Sequence, residues 1–220
     1  MFDPRQAPAV RASVHLSPVA PHRLTPAGLR HHFAQPPVWT PEVRAEPALS
    51  ARVPTAAAVL VPILAHSQGT TVLLTQRAAH LNAHAGQIAF PGGRVDATDA
   101  DVVATALREA QEEIALDPAH VDVLGLLPPY TTATAYVVTP VVALVAAGAT
   151  WRPHPGEVAE VFEVPLPFLM DPANHVSQAL AWDGRLRHWF AMPYHDGAAE
   201  RYIWGATAGM LRNLYRCLSA

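Results

Sequence analysis

The stretch from Asp101 to about Ala115 constrains the fold more than any other part of the chain. Val103, Leu107, Ala110 and Ile114 recur there at helical spacing, so one face of a helix must turn to a core. Asp99 and Asp101 suit its positive N-terminal end. Glu109, Glu112 and Glu113 lie three and four residues apart and return to another face of the same helix. Such carboxylates repel one another by roughly 0.2–0.5 kcal/mol per pair. A hard divalent cation with oxygen ligands would offset that repulsion. The plainer alternative is a solvated acidic face with Arg108 as a surface partner.

Strand and turn signals surround this helix. Residues 1–50 form a proline-rich lead-in that docks on the rest of the chain. One helix is expected within it, with Thr25 as N-cap, Pro26 at the first helical position, and Leu29, His32 and Phe33 facing inward. The body, residues 51–220, opens with apolar runs at 55–65 and 70–76. Ser67-Gln68-Gly69 between them is turn chemistry, so the two runs read as a hairpin. A short strand at 87–90 leads into the turn Pro91-Gly92-Gly93. Further strands are expected at 121–127, 135–146, 158–164 and 185–194. A closing helix at 205–218 presents Met210, Leu211, Leu214 and Leu218 on one face. With no internal repeat, the fold class is α+β in a single unit.

Composition removes several function classes. Half of the 220 residues are hydrophobic and 15% are charged, which excludes disorder along the whole chain. A net charge of −3 excludes a nucleic-acid binder that relies on a basic surface. All 15 cationic side chains are arginine, so neither a Schiff-base lysine nor a P-loop lysine is available. The single Cys217 rules out an internal disulfide framework and a Cys-rich zinc site, and it suits a reducing, cytoplasmic setting. The apolar runs are too short to span a bilayer, and no secretory signal pattern is present, so no membrane partner is expected. His80 and His84 have helical zinc spacing, but Asn82 and Gly86 mark a loop and no third ligand is near. Trp182, Trp189 and Trp204 read as packing residues.

The acidic helix does not stand alone. Upstream of Arg108-Glu109-Ala110-Gln111-Glu112-Glu113 come Leu73-Leu74-Thr75-Gln76-Arg77-Ala78, then Gly86, then Phe90-Pro91-Gly92-Gly93. This series resembles the Nudix hydrolase family, whose box is Gly-x5-Glu-x7-Arg-Glu-U-x-Glu-Glu-x-Gly-U, with U apolar. It is most similar to the branch that cleaves coenzyme A, with its upstream signature Leu-Leu-Thr-x-Arg-(Ser/Ala)-x3-Arg-x3-Gly-x3-Phe-Pro-Gly-Gly. Leu73, Leu74, Thr75, Arg77, Ala78, Gly86, Phe90, Pro91, Gly92 and Gly93 all fit that signature at its spacing. There are departures. Asn82 replaces the second signature arginine, and one extra residue separates Gly93 from Arg108. Asp99 is the nearest acid to the missing first glutamate, and Ala115 stands at the last glycine.

The resemblance implies a Nudix fold: an α/β/α sandwich with a mixed β-sheet between helices and a loop–helix–loop catalytic motif. It implies hydrolysis of coenzyme A, free or acylated, to 3′,5′-ADP and 4′-phosphopantetheine. Mg2+ or Mn2+ would be held by Glu109, Glu112, Glu113 and the Gly93 carbonyl. Glu109 would act in catalysis, and Arg108 would pair with a box carboxylate and fix its rotamer. Glu157, after Pro153-His154-Pro155-Gly156, is placed to hang from a loop as general base; the alternative is that Glu157, Glu160 and Glu163 merely point outward. Arg77 is the substrate contact named by the signature, Arg94 and Arg152 are candidates by position, and Gly86 would admit a backbone near the ligand. Phe90 fits either substrate or core. The only partner implied is a small molecule, for a monomer or homodimer. Two alternatives remain open at this level. One is a Nudix diphosphatase for ADP-ribose, dinucleotides or nucleoside triphosphates, supported by Asn82. The other is a non-catalytic nucleotide-sensing module.

Overall fold

Residues 55–65 and 135–146 are apolar at nearly every position, the pattern of strands buried on both faces. A computed structural model describes residues 3–12, 16–49, 52–81, 85–182 and 185–220. Asn82 and His84 lie outside these residues, as does the Trp182 side chain. The chain runs through β1 (Ala9–Ala12), α1 (Pro26–Ala34), β2 (Thr55–His66), β3 (Gly69–Arg77), β4 (Ile88–Ala89), β5 (Gly92–Arg94) and α2 (Val102–Ile114). It continues through β6 (Val121–Leu126), β7 (Tyr130–Thr131), β8 (Tyr136–Val145), β9 (Val158–Pro165) and the short α3 (Leu166–Leu169). It closes with β10 (Val176–Trp182), β11 (Arg185–His195), β12 (Glu200–Trp204) and α4 (Gly205–Ser219). No helix among the described residues is long and apolar enough to cross a membrane.

The main sheet has the order β4-β3-β2-β8-β6, with β5 added to β2, β7 to β8 and β9 to β3. It is mixed, because β2 and β8 run parallel at its centre while β2 and β3 form the expected antiparallel hairpin. Side chains alternate between its faces. Val61, Ile63, Val72, Leu74, Val142 and Leu144 join Leu29 of α1 and Leu211 and Leu214 of α4. Ala58, Leu60, Leu64, Leu73, Val141, Ala143 and Val145 join Ala106, Ala110 and Ile114 of α2. Helices thus cover both faces, which gives the sandwich.

Helix α2 buries Ala106, Ala110 and Ile114, with Val103 and Leu107 packed beside them. Burying Ile114 alone contributes about 1.5–3 kcal/mol, several times the repulsion of any one acidic pair, so docking prevails over the charge cluster. Asp101 caps the helix, its Oδ1 accepting the Ala104 N–H at 2.8 Å. Asp99 sits beside the same end, its carboxylate accepting from the Thr105 hydroxyl at 2.8 Å and from Arg108 Nε at 2.9 Å. At the other end Ala115 adopts the left-handed conformation, φ 54° and ψ 28°, and its N–H caps the Ala110 and Gln111 carbonyls. Glycine takes that conformation freely; alanine does so at a cost of about 1–2 kcal/mol.

A second, antiparallel sheet has the order β1-β10-β11-β12. Of these strands only β11 is expected from the sequence. The polar Ser177 and Gln178 obscure β10, and β12 has only five residues. On one face of this sheet Met192 and Ile203 enter the core beneath α4. Helix α4 is not one-sided as its apolar positions suggest, for Arg212 and Asn213 are buried too. The lead-in covers them. Asn213 receives the Val43 N–H at 3.1 Å and donates to the Val43 carbonyl at 2.7 Å, while Arg212 donates to Glu42 at 2.8 and 3.2 Å.

Beside Arg212 the His175 ring is 1% exposed. Its Nε2 lies 2.8 Å from the Leu169 carbonyl and its Nδ1 lies 3.1 Å from Arg212 Nη1. A carbonyl can only accept and a guanidinium can only donate, so the ring is neutral with its proton on Nε2. Burial, joined by the Arg212 charge, holds the imidazole pKa down to about 4. The unfolded chain therefore binds this proton first as pH falls. Stability present above pH ~6.5 is lost progressively toward pH 4.

Two outcomes follow. Ala115→Gly should raise the melting temperature by about 2–4 °C, the equivalent of about 1 kcal/mol in a chain of this size; a fall would contradict the strain assigned to Ala115. The melting-temperature gap between the parent and His175→Gln should narrow as pH drops from 6.5 to 4. A gap independent of pH would show that His175 is not held neutral.

Candidate active site

The site is built on the Pro91-Gly92-Gly93 turn. Strand β5 pairs with β2, setting Gly93 opposite Ala58 and Gly92 opposite Val59, and Leu60 N–H donates to the Pro91 carbonyl at 2.8 Å. On the far side lies α2. A Cβ on Gly92 would sit 2.4 Å from the Ala58 carbonyl oxygen, and one on Gly93 would sit 2.5 Å from the Glu109 carboxylate. Any side chain at either place would force the turn away from β2 or the acid off the turn. Glu113 completes the join, its Oε2 accepting the Gly92 N–H at 3.2 Å.

Arg108 organises the outer edge of the helix. Its Nε donates to Asp99 Oδ1 at 2.9 Å, and its Nη2 donates to Asp99 Oδ2 at 2.9 Å and to the Arg94 carbonyl at 3.0 Å. Its Nη1 donates to Glu109 and Glu112, each at 3.0 Å. The Arg108 guanidinium beside Asp99 holds that carboxyl well below the usual range. The acid nearest the missing box glutamate is therefore the one that fixes Arg108. Glu112 is turned outward, 58% exposed and away from the turn.

Glu157 arrives from the loop before β9, which is tied down on two sides. His154 N–H donates to the Glu113 carbonyl at 2.8 Å, and Ala78 N–H donates to the Glu157 carbonyl at 2.8 Å. Arg77 ends β3 and its Nη1 lies 3.4 Å from Glu113 Oε1, with a buried Nε that has no hydrogen-bond partner. Burial, foremost, raises the Glu109 pKa, and it pushes Glu113 up to about 7. The neighbouring Glu157 charge raises both further, while Arg108 and Arg77 oppose the rise at Glu109 and Glu113 respectively.

These groups open into a cavity of about 860 Å³ between the main sheet and the second sheet. Glu109, Glu113, Glu157, Arg77, Gly93, Arg94 and Phe90 all line it. Phe90 is 3% exposed and belongs to the core as well, so it forms a floor. Arg94 is held by the Tyr136 hydroxyl at 2.7 and 3.0 Å. Gly86 and Arg152 do not line the cavity. Gly86 instead closes a turn at φ +69°, donating to the Arg77 carbonyl at 3.1 Å. The sequence reading does not anticipate Glu46, Arg187, Trp189 and Trp204 in the cavity wall. Trp189 and Trp204 are thus not packing residues alone. The i, i+2 spacing of Arg187 and Trp189 on a strand is the signal that places both on one face.

As donors for a metal, Glu109, Glu113 and the backbone at Gly93 offer hard oxygens, a set that suits magnesium or manganese rather than a soft ion. Among the described residues, no three His, Cys, Asp or Glu side chains are grouped closely enough to make a complete cage. A magnesium ion commonly takes only one or two protein carboxylates and fills its shell with water and substrate phosphates.

The NUDIX domain family model matches residues 54–190. A Pectobacterium atrosepticum protein named "Uncharacterized Nudix hydrolase NudL" is 45% identical over 158 residues, 72% of this chain and 80% of its own length. A Salmonella paratyphi B protein of the same name is 45% identical over 159 residues, with the same coverage of 72% and 80%. Among solved structures, the NUDIX domain of Shewanella oneidensis NrtR complexed with ADP ribose is 25% identical, covers 52% of this chain and 75% of its own, and has a TM-score of 0.43. A C. elegans Ap4A hydrolase binary complex is 21% identical, with coverage of 51% and 80% and a TM-score of 0.43.

The contact at Gly93 is open to a direct test. Gly93→Ala should lower kcat by on the order of 100-fold on every substrate that the parent turns over, because the Glu109 carboxylate must move to admit the methyl group. A variant within threefold of the parent would show that this close approach is not needed.

Proposed function

The chain belongs to the Nudix family and is a Nudix hydrolase, and from that premise we propose that it cleaves the diphosphate of coenzyme A to 3′,5′-ADP and 4′-phosphopantetheine. One observation carries this reading. Arg77, the arginine of the upstream coenzyme A signature, stands 3.4 Å from Glu113 of the box. The two motifs therefore meet at one cavity, which supports a joint function. The size of that cavity also suits a substrate longer than an isolated diphosphate.

In this reading Glu109, Glu113 and the Gly93 carbonyl would hold a divalent ion, Mg2+ or Mn2+, and Glu112, bonded to Arg108 at 3.0 Å, would join them on leaving that contact. Such an ion supplies neutralisation of phosphate oxygens and a lowered pKa for a bound water. The chain's own groups do the rest. Arg77 draws the diphosphate toward the acidic end, and its unpartnered Nε gains an acceptor there. Arg108 holds the Glu109 carboxylate in one rotamer while Asp99 braces the guanidinium from behind. Glu157 is exposed and lies in the field of two other acids. It accepts a proton from the water whose oxygen bonds to one phosphorus, while the bond from that phosphorus to the bridging oxygen breaks and the other phosphate leaves with that oxygen and the electron pair. Arg94, Gly86 and Phe90 serve this reading as the contact with substrate, the turn that shapes the loop and the floor, respectively.

The decisive experiment is a product assay with coenzyme A and magnesium, run beside ADP-ribose, a dinucleotide and a nucleoside triphosphate. Coenzyme A should be cleaved fastest. Glu109→Gln and Glu113→Gln should fold normally and lose about 1,000-fold or more in turnover, roughly 4 kcal/mol of transition-state stabilisation. A faster rate on ADP-ribose would move the substrate, and either variant retaining most of its activity in saturating magnesium would refute its assigned role.

A further inference from the structure

The acidic end of the cavity is explained by a metal and a diphosphate; the opposite wall is not. That wall is the face of the second sheet that carries Arg187 and Trp189 on β11, with Leu180 across from Arg187 on β10 and Trp204 on β12. The Trp189 and Trp204 rings meet edge to face, with centroids 6.1 Å apart. Arg187 has a buried Nε with no hydrogen-bond partner. A buried donor without an acceptor is costly in a folded protein and marks a place where a ligand can supply the acceptor. Arg94 is bonded to Tyr136, and Arg77, whose Nε is likewise unpartnered, already faces Glu113 through its Nη1 at the acidic end. Among the described residues no carboxylate pairs with Arg187.

We propose that Arg187 binds a phosphate monoester on the nucleoside end of the substrate, and that this contact sets a preference for coenzyme A over its 3′-dephosphorylated form. The proposal rests on the coenzyme A reading above. A phosphate monoester is nearly a dianion at neutral pH, and a guanidinium meets it with parallel N–H donors. Indole rings beside that cation suit a planar base, so the wall presents the two chemistries of a phosphorylated nucleoside next to each other. The diphosphate, drawn to Glu109 and Glu113, then lies at the other end of the same molecule.

The test measures kcat/KM for coenzyme A and for dephospho-coenzyme A, in magnesium, with the parent protein, Arg187→Gln and Arg187→Lys. The parent should prefer coenzyme A by about 10- to 100-fold, the usual range for one charge-assisted contact. Arg187→Gln should abolish most of that preference. Arg187→Lys, which keeps the charge but not the fork, should retain part of it, so the comparison stands even if the glutamine variant fails to fold. A folded variant in which both substrates lose the same factor would overturn the proposal, as would a parent that turns over both compounds without preference; the coenzyme A reading would survive either result. A parent that cleaves neither compound would instead overturn the coenzyme A reading, and this proposal with it.

Discussion

Between β5 and α2 there is no space for side-chain atoms at the turn. A methyl group at Gly93 would lie 2.5 Å from the Glu109 carboxylate, and one at Gly92 would lie 2.4 Å from the Ala58 carbonyl oxygen. The turn can therefore serve two partners at once, hydrogen-bonding to β2 on one side and receiving the acids of α2 on the other. Ala58 beneath it is itself fully buried and small, and Ala106 and Ala110 are the helix residues that pack in the same cluster. Short side chains on both sides of the contact let the helix approach closely enough for Glu113 to accept the Gly92 N–H.

That approach has an electrostatic consequence. Glu109 and Glu113 lose hydration as the helix docks, and their ordinary neighbours compensate only in part. Arg108 and Arg77 each offer one charge-assisted contact, while Glu157 brings a third negative group to the same space. A fold that gathers acids in this way favours cations, and behind them polyanions. The second sheet matters for the same reason. It closes the cavity with an arginine and two tryptophans, so the ends of the site differ sharply in character.

Much of this is legible in the sequence. The 3.6-residue repeat of α2, the uninterrupted apolar runs of β2 and β8, and the Thr25-Pro26 helix start are local patterns with local causes. The observed elements follow them closely. The glycine pair and the acidic cluster are legible as motifs, and the structure supplies the reason for their spacing. Other features depend on tertiary contacts that no local pattern encodes. Asp99 reads as a helix-end acid, yet its carboxylate also receives Arg108, nine residues on. Helix α4 reads as one-sided because its polar residues, Arg212 and Asn213, meet their partners in a segment about 170 residues away. Trp189 and Trp204 read as packing residues because β10 and β12, the strands that flank β11 and complete this sheet face, carry weak strand signals. Glu46 enters the cavity wall from the lead-in, held by Tyr130 at 3.0 Å and the Ala133 N–H at 2.8 Å.

The central claim is that the backbone at Gly93 and the carboxylates of Glu109 and Glu113 together form the seat of a divalent ion. Anomalous diffraction from crystals grown with Mn2+ and a non-hydrolysable coenzyme A analogue tests it most directly. The account predicts an anomalous peak within coordination distance of both carboxylates and beside the Gly93 carbonyl, with the analogue's diphosphate completing the shell. An ordered analogue in the cavity with manganese elsewhere, or with Glu109 and Glu113 unligated, would contradict it.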